Sequence, residues 1–290
     1  MIAIRCFAFA FITALVLASL AAPVSQAQIP FYTDDPSVTP VRTLHVEFFN
    51  EIDALQSAQF PNLRQNTANI KINTGLPHNL ELDLDAPYLS IYRDPSSTSS
   101  TGVGDTNLGI KWNFRREIEN SHRPALSASF YVEFPTGDPH NQLGSGLIDY
   151  WLNFIFQEPI TPKTRLNANL GILFAGNTST GAVGINTTRG QVYTSSLSVL
   201  HDINSHLTVG GEVYAGVADT DGLGRTQLQG MGGGSIAIHR GLALTFGLIV
   251  GKYEASPRIG GQIGLSIDFP DLVRRPTAAS SAAHIRNSLR

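Results

Sequence analysis

The chain has 290 residues, a formal net charge of −3 and an isoelectric point near 6.2. It therefore has no excess of basic residues to attract nucleic acid, and nucleic-acid binding is excluded. Charged residues make up 15% of the chain, below the roughly 25% of soluble domains. After the first 27 residues no apolar stretch approaches the roughly 20 residues of a transmembrane helix. The apolar residues are instead distributed among polar ones.

Residues 1–27 have the three parts of a secretory signal peptide. Arg5 precedes a short apolar run, and Ser25-Gln-Ala27 supplies small residues for a cleavage site. We expect cleavage after Ala27 and export from the cytoplasm. Cys6, the only cysteine, lies in this segment. We therefore expect no disulfide and no cysteine metal site in the exported protein.

From residue 41 to residue 269, segments of about ten residues alternate apolar with polar side chains and are separated by turns rich in Gly, Pro, Asn and Asp. The clearest segment is 106–114, where Leu108, Ile110 and Trp112 alternate with Asn107, Gly109 and Lys111. A two-residue period gives a strand one apolar and one polar face. The sequence predicts an all-β fold, an antiparallel transmembrane β-barrel of about 12 strands of the bacterial outer-membrane type.

The segments that flank the predicted barrel lack this period. Residues 28–40 contain three prolines, and we expect an irregular periplasmic lead-in or a segment that folds into the lumen. Residues 270–290 mix small polar residues with arginines, which predicts a disordered periplasmic tail. A glycine run, 230–234, interrupts one predicted strand. Such a run permits a bend or bulge, or the close approach of a ligand to the backbone.

Charged residues in the predicted strands have the parity opposite to the apolar ones, so we expect them to face the lumen. Glu81, Asp83 and Asp85 lie at i, i+2 and i+4, on one face of a strand. Two interpretations remain open: a salt-bridge ladder that fixes strand register, or a polar constriction that selects solutes by charge. The candidate lumen-lining residues, including aromatic ones of the same parity, are Lys71, Glu81, Asp83, Asp85, Lys111, Arg115, Tyr131, Glu133, Asp149, Trp151, Arg165, Glu212 and Tyr214.

Catalytic and metal-binding patterns are not evident in the sequence. His201, His206 and His239 fall in predicted turns, and Gly144-Ser-Gly146 lacks the pattern of a nucleophile elbow. The acids of segment 81–85 are accompanied by basic residues and are expected to stay ionised rather than act as an acid–base pair. We therefore expect no enzyme activity, no metal and no cofactor.

Two motifs resemble those of a known family. They are Gly102-Val-Gly-Asp-Thr-Asn-Leu-Gly-Ile-Lys-Trp112, and Glu133-Phe-Pro-Thr-Gly-Asp138 at the end of the next strand. Both are similar to motifs of the outer-membrane proteins named for the MetA-pathway of phenol degradation. The resemblance implies a channel for small, often aromatic or hydrophobic, solutes and brings no catalytic residues. The residues that carry it are Gly102, Gly104, Asp105, Glu133, Pro135, Thr136, Gly137 and Asp138.

The last predicted strand resembles the final-strand signal by which outer-membrane barrels are recognised for assembly. In Gln262-Ile-Gly-Leu-Ser-Ile-Asp-Phe269, the matching positions are Gln262, Gly264, Ile267 and Phe269. We expect the partners to be outer-membrane lipid, the barrel assembly machinery and a small-molecule solute, in the outer membrane of a Gram-negative bacterium. The interior of a twelve-stranded barrel is intermediate in width between that of an eight-stranded barrel, which side chains fill, and that of a sixteen-stranded porin, which is an open channel. We thus expect passive passage through a narrow lumen, with a non-conducting structural or surface-interaction barrel as the alternative.

Overall fold

The computed structural model describes residues 30–117, 123–175, 190–218 and 227–270. In these ranges the strands form one antiparallel sheet that closes on itself, because β1 pairs with both its sequence neighbour β2 and the last strand β13. The strands are β1 (Leu44–Ala54), β2 (Asn62–Leu76), β3 (Leu80–Arg93), β4 (Ser100–Val103), β5 (Thr106–Arg115), β6 (Ala125–Phe134), β7 (Asp149–Thr161), β8 (Thr164–Ala175), β9 (Gly190–Asp202), β10 (Leu207–Ala218), β11 (Gln227–His239), β12 (Leu242–Gly251) and β13 (Ile259–Phe269).

Strands β4 and β5 are two halves of one barrel strand. β4 pairs with Tyr88–Ile91 of β3, whereas β5 pairs with Leu80–Asp85 of the same strand. The break falls at Gly104 and Asp105, opposite Pro87, which has no N–H to donate to a ladder. Counted this way, the described residues form a closed antiparallel barrel of twelve strands. The predicted fold class is confirmed.

The side chains of the wall are sorted in the reverse sense to those of a water-soluble protein. Leu248 and Leu170 on the outer surface are 71% and 63% exposed, whereas Lys111 and Glu81 inside are each 1% exposed. Aromatic side chains predicted to face outward, among them Trp112, are also exposed. An apolar exterior around a polar interior is the arrangement that a lipid bilayer requires of a barrel.

The two ends of the barrel differ in their connections. The end that carries Leu44 and Phe269 has short turns, such as 162–163 and 240–241, and is called the turn end. The opposite end has longer connections, including 135–148, and is called the loop end. No helix in the described part of the chain is long and apolar enough to span a membrane. The predicted signal peptide and residues 271–290 of the predicted tail lie outside the described residues.

Candidate functional site

The register of the wall places opposite charges side by side on its inner face. Lys71 of β2 lies between Glu47 of β1 and Asp85 of β3. On the turn-end side of this row, Glu81 of β3 pairs with Lys111 of β5. Directly opposite residues of an antiparallel pair have Cβ atoms about 4.5–5.5 Å apart, so these charges are in contact range. The ladder proposed from the sequence thus has two of its three expected bases in place.

Residues 30–40, here called the N-terminal segment, pass through the interior of the barrel without regular secondary structure. Tyr32 Oη donates to Glu51 Oε2 (2.7 Å), and the backbone N–H of Thr33 donates to Glu212 Oε2 (2.5 Å). The backbone N–H of residue 39 donates to an oxygen of Glu81, which also pairs with Lys111. The segment therefore lies in the lumen that the strands enclose.

An ion cluster joins the N-terminal segment to the wall. Lys111 Nζ lies 3.0 Å from Glu81 Oε1 and 3.3 Å from Asp34 Oδ1. Burial raises the pKa of Asp34, while the charges of Lys111 and Lys71 oppose that rise. Removing the lysine from such a cluster would leave buried carboxylates without a compensating charge, which is costly. Asp34 thus attaches the N-terminal segment to the wall and is the second counter-ion of Lys111.

Further polar contacts spread the N-terminal segment across the lumen. The Pro36 carbonyl accepts hydrogen bonds from Asn113 Nδ2 and Ser127 Oγ, on β5 and β6. On β8, the Asn169 amide accepts from the backbone N–H of Asp34 (2.7 Å) and donates to its carbonyl (3.0 Å). The segment is hydrogen-bonded to β1, β3, β5, β6, β8 and β10. It crosses the barrel rather than following one side of the wall.

The start of the N-terminal segment lies on inward-facing glycines. Gly210, Gly233 and Gly247 are directly paired across β10, β11 and β12. A Cβ atom built on Gly233 or Gly247 would lie 3.0 or 3.2 Å from atoms of Pro30. The glycine run was predicted to allow a bend or bulge, or the close approach of a ligand to the backbone. In the structure, the group that lies close to the backbone there is Pro30 of the same chain.

Aromatic side chains narrow the same interior. Tyr131 Oη donates to Asp83 Oδ2 (2.9 Å), and its ring centroid is 6.2 Å from that of Trp151. The ring of Tyr214 is 6.0 Å from that of Tyr32 in the N-terminal segment. Burial beside Glu51 raises the pKa of the Tyr32 hydroxyl, which keeps it a hydrogen-bond donor. The three inward aromatics named from the sequence lie in the lumen.

The remaining charged residues named from the sequence lie at different heights along the barrel, and one of them does not face the lumen as predicted. Glu133 of β6 pairs with Asp149 of β7 near the loop end, and Arg165 Nη1 lies 2.8 Å from Asp202 Oδ2 at the turn end. Arg115 was expected to face the acids of β3, and this was wrong. A register shift after residue 113 pairs Arg115 with Leu126 and leaves it exposed at the strand end.

The two family motifs, distant in sequence, meet at the break between β4 and β5. Asp105 Oδ1 accepts from the backbone N–H of Gly137 (2.9 Å), and Oδ2 accepts from that of Ser145 (2.7 Å). Thr136 Oγ1 donates to the Gly104 carbonyl (2.7 Å). The motif residues are thus joined by hydrogen bonds rather than aligned along the lumen.

Other motif residues have local roles in this connection. Asp138 accepts from the backbone N–H of His140 (2.9 Å) and caps a short 3-10 turn, Pro139–Asn141. Gly102 makes room for a leucine of the same connection, since a Cβ there would lie 2.8 Å from Leu143 Cδ1. Pro135 follows directly on β6. Together with the contacts of Asp105, these features fold residues 135–148 back against the wall.

The last strand and the first form a closing seam with a buried ion cluster. Phe269 pairs with Leu44, and the inward residues Gln262 and Gly264 alternate with the outward Ile267. His45, which the sequence analysis did not single out, has Nδ1 2.5 Å from Asp268 Oδ1 and Nε2 3.1 Å from Glu47 Oε1. The sequence could have indicated it, because His45 lies two residues from Glu47 and therefore on the same inward face of β1.

Comparisons with known proteins agree with this architecture. Residues 58–268 match the model of the family described as "Putative MetA-pathway of phenol degradation". An outer-membrane channel from Pseudomonas putida F1 is 17% identical, with a TM-score of 0.62 over 81% of this chain and 98% of that one. The NanC porin (10% identical, TM-score 0.52) and the KdgM porin (7%, 0.53) each cover 77% of this chain and 98% of their own. At these identities the likeness shows a shared barrel fold. No curated protein matches the sequence.

Proposed function

The chain belongs to the family of the MetA-pathway of phenol degradation, and we propose that it is an outer-membrane channel for the passive passage of small, aromatic or hydrophobic solutes. The membership covers most of the barrel, from the β1–β2 connection to β13. The barrel fold supplies the passage, and the inner face supplies the groups that a solute meets.

The observation that carries this proposal is a polar, charged interior inside a closed wall with an apolar exterior. Lys111 and Glu81 are buried on the inner face, whereas Leu248 is exposed on the outer face. The inner face therefore suits water and the outer face suits lipid. A barrel built only to anchor loops does not require ionised groups at its centre, where each must be paired to be tolerated. Charged side chains at a constriction are the means by which pores select solutes.

The expected solutes follow from the rings inside the barrel. Tyr32, Tyr131, Trp151 and Tyr214 surround the polar centre. Aromatic side chains stack on planar rings and offer a hydrogen-bonding tip. A phenol, with one ring and one hydroxyl, matches both properties. We propose transport rather than catalysis, since Glu81 is ion-paired with Lys111, and Glu51 and Glu212 accept hydrogen bonds from the N-terminal segment.

A non-conducting structural barrel is the second candidate, and one observation favours it. The N-terminal segment crosses the lumen and is hydrogen-bonded on opposite sides of the wall, to Glu81 on β3 and Glu212 on β10. A lumen filled by its own chain leaves little room for a solute unless the segment moves. The channel proposal therefore includes displacement of this segment, or passage beside it.

We also propose that residues 1–27 direct export and are removed, and that β13 is read by the barrel assembly machinery. Cleavage after Ala27 would leave only two residues before Pro30. The mature chain would then start inside or close to the lumen, beside the glycines of β11 and β12. N-terminal sequencing of the protein from purified outer membranes measures this directly.

Liposome flux of the purified protein tests the channel proposal. Vesicles with the protein should release phenol and cresols faster than glucose or short carboxylic acids, with empty vesicles as the baseline because phenols also cross lipid. Double replacement of Trp151 and Tyr131 by Leu should reduce the difference between phenol and glucose. A protein that passes no solute faster than empty vesicles would favour the structural barrel.

A further inference from the structure

The connection between β6 and β7, residues 135–148, is here called the motif loop, and its path differs from that of a loop extending into solvent. Leu143 at its tip packs against Leu55, Leu89 and Ile91, and all four are at most 8% exposed. Leu89 and Ile91 have the inward parity of β3, since they pair with inward-facing residues of β2. The tip of the motif loop therefore lies on the inner side of the wall at the loop end.

The motif loop crosses several strands to reach this position. It leaves β6, passes the broken β4–β5 strand and contacts β3 and the start of β2. Arg93 Nη2 donates to the Asn141 carbonyl (3.1 Å) and to Gln142 Oε1 (3.0 Å). Asn62 Nδ2 also donates to Gln142 Oε1 (3.0 Å). The loop thus spans part of the mouth, held at its tip by an apolar cluster and an arginine.

One carboxylate fastens both arms of the motif loop to the wall. Asp105 accepts from Gly137 at the start of the loop and from Ser145 near its end. Gly144 is required beside it, because a Cβ there would lie 2.2 Å from Asp105 Oδ1. Hydrogen bonds to an ionised acceptor are roughly twice as strong as neutral ones. Loss of this carboxylate would remove a hydrogen bond from both arms at once.

We propose that the motif loop is the gate of the loop-end mouth, and that Asp105 is the positioning residue that holds it closed. This inference rests on the proposed channel function for its physiological meaning, although the movement itself is measurable without transport. When the gate opens, Leu143 leaves the apolar recess formed by Leu55, Leu89 and Ile91. The recess then becomes the first surface that an entering hydrophobic solute meets.

Chemical labelling measures the opening independently of conduction. In a Cys6→Ser background, Ile91→Cys places a thiol at a residue that is 0% exposed. A membrane-impermeant maleimide should react slowly with it. Adding Asp105→Ala should raise the labelling rate by about tenfold or more, and Asp105→Asn, which keeps one acceptor oxygen, by less. Adding Asp94→Asn, which removes an exposed carboxylate that accepts only from Ser96, should leave the rate unchanged.

A disulfide lock provides the converse test in case Asp105→Ala fails to fold. Gly102→Cys and Leu143→Cys would introduce thiols at two positions whose side chains approach each other, since a Cβ on residue 102 would lie 2.8 Å from Leu143 Cδ1. Oxidation should lower the channel conductance and reduction should restore it, with each single variant insensitive to both treatments.

The two measurements separate failure of the gate from failure of the channel. Equal labelling rates with and without Asp105, or a locked channel that conducts like the reduced one, would overturn the gate. Faster labelling in Asp105→Ala together with no conductance in any variant would retain the gate's movement and reject the channel function.

Discussion

Glu81 and Lys111 face each other across β3 and β5, with Oε1 and Nζ 3.0 Å apart and both side chains 1% exposed. Asp34, brought by the N-terminal segment, lies on the same ammonium at 3.3 Å. One buried cation is therefore shared between two carboxylates, and Asp83 adds a further acid on the next inward position of β3. The narrow centre of the barrel carries an excess of acid, which favours cations and neutral solutes over anions.

Charge selectivity should change in opposite directions when the two partners are neutralised. Combined replacement of Glu81 by Gln and of Asp83 and Asp85 by Asn should move the reversal potential toward anions. Lys111→Gln should move it toward cations, because both of its counter-ions remain. The shifts should shrink at high salt, since screening acts within about 8–10 Å at physiological ionic strength.

Arg115→Gln serves as the matched control for Lys111→Gln. It removes one positive charge from the same strand, but from an exposed position beyond the register shift. Its reversal potential should equal that of the wild type. A wild-type channel that already prefers anions would contradict this account of the lumen.

The inward glycines should control how firmly the N-terminal segment is seated. A Cβ on Gly247 would lie 3.0 Å from Met231 Sδ and 3.2 Å from Pro30 Cβ, whereas one on Gly232 would meet nothing within 4 Å. Gly247→Ala should therefore increase maleimide labelling of a Thr33→Cys probe by several-fold, roughly as expected for local opening. Gly232→Ala should leave labelling unchanged. Equal effects of the two alanines would show that the contact with Pro30 does not hold the segment.

Outward residues of β5 should not tolerate charge. Leu108 and Ile110 are each 40% exposed on the lipid-facing side. Leu108→Arg or Ile110→Arg should block assembly, since an arginine at the bilayer midplane costs roughly 2–4 kcal/mol. Asn107→Ser, on the inner face next to Leu108, should assemble normally. Heat-modifiable migration in detergent gels reports the outcome, and normal assembly of Leu108→Arg would show that the face assignment is wrong.

The end of β13 should matter for assembly more than the residues that follow it. Phe269 pairs with Leu44 at the closing seam and ends the strand pattern. Phe269→Ala should reduce the yield of folded barrel in the outer membrane, whereas deletion of 271–290 should not. Phe134→Ala, which removes an exposed aromatic ring from the end of β6, is the control for general loss of an aromatic. A deletion that abolishes assembly would assign those residues to the fold or its recognition.

The two-residue period made the barrel readable from the sequence. Asn107 and Leu108 are neighbours in the sequence and lie on the inner and outer faces of the wall, as the period predicts. The fold class could therefore be predicted from the local pattern alone. Arg115 shows where that reasoning stops, because a bulge reverses the parity of every residue beyond it. No periodicity marks a bulge in advance.

The candidate site was less accessible to sequence reasoning, since its central contacts join residues far apart in the chain. Asp34 meets Lys111 across 77 positions, from a segment without regular structure. Asp105 was recognised only as part of a motif, and its contacts with Gly137 and Ser145 depend on the path of a loop. Side-chain parity predicts which face a residue occupies, but not which irregular segment will fill the space in front of it.

Single-channel recording in planar bilayers, comparing the wild type with a variant lacking residues 28–38, tests the central claim most directly. The deletion removes Asp34 and the contacts with Glu51 and Glu212 while leaving the strands intact. Lys111 keeps Glu81 as its counter-ion in this variant, so the deletion does not leave its buried ammonium unpaired. The account predicts a small conductance for the wild type and a several-fold larger one for the deletion, as expected when a plugged barrel interior opens. A folded deletion variant that conducts no better than protein-free bilayers would contradict it.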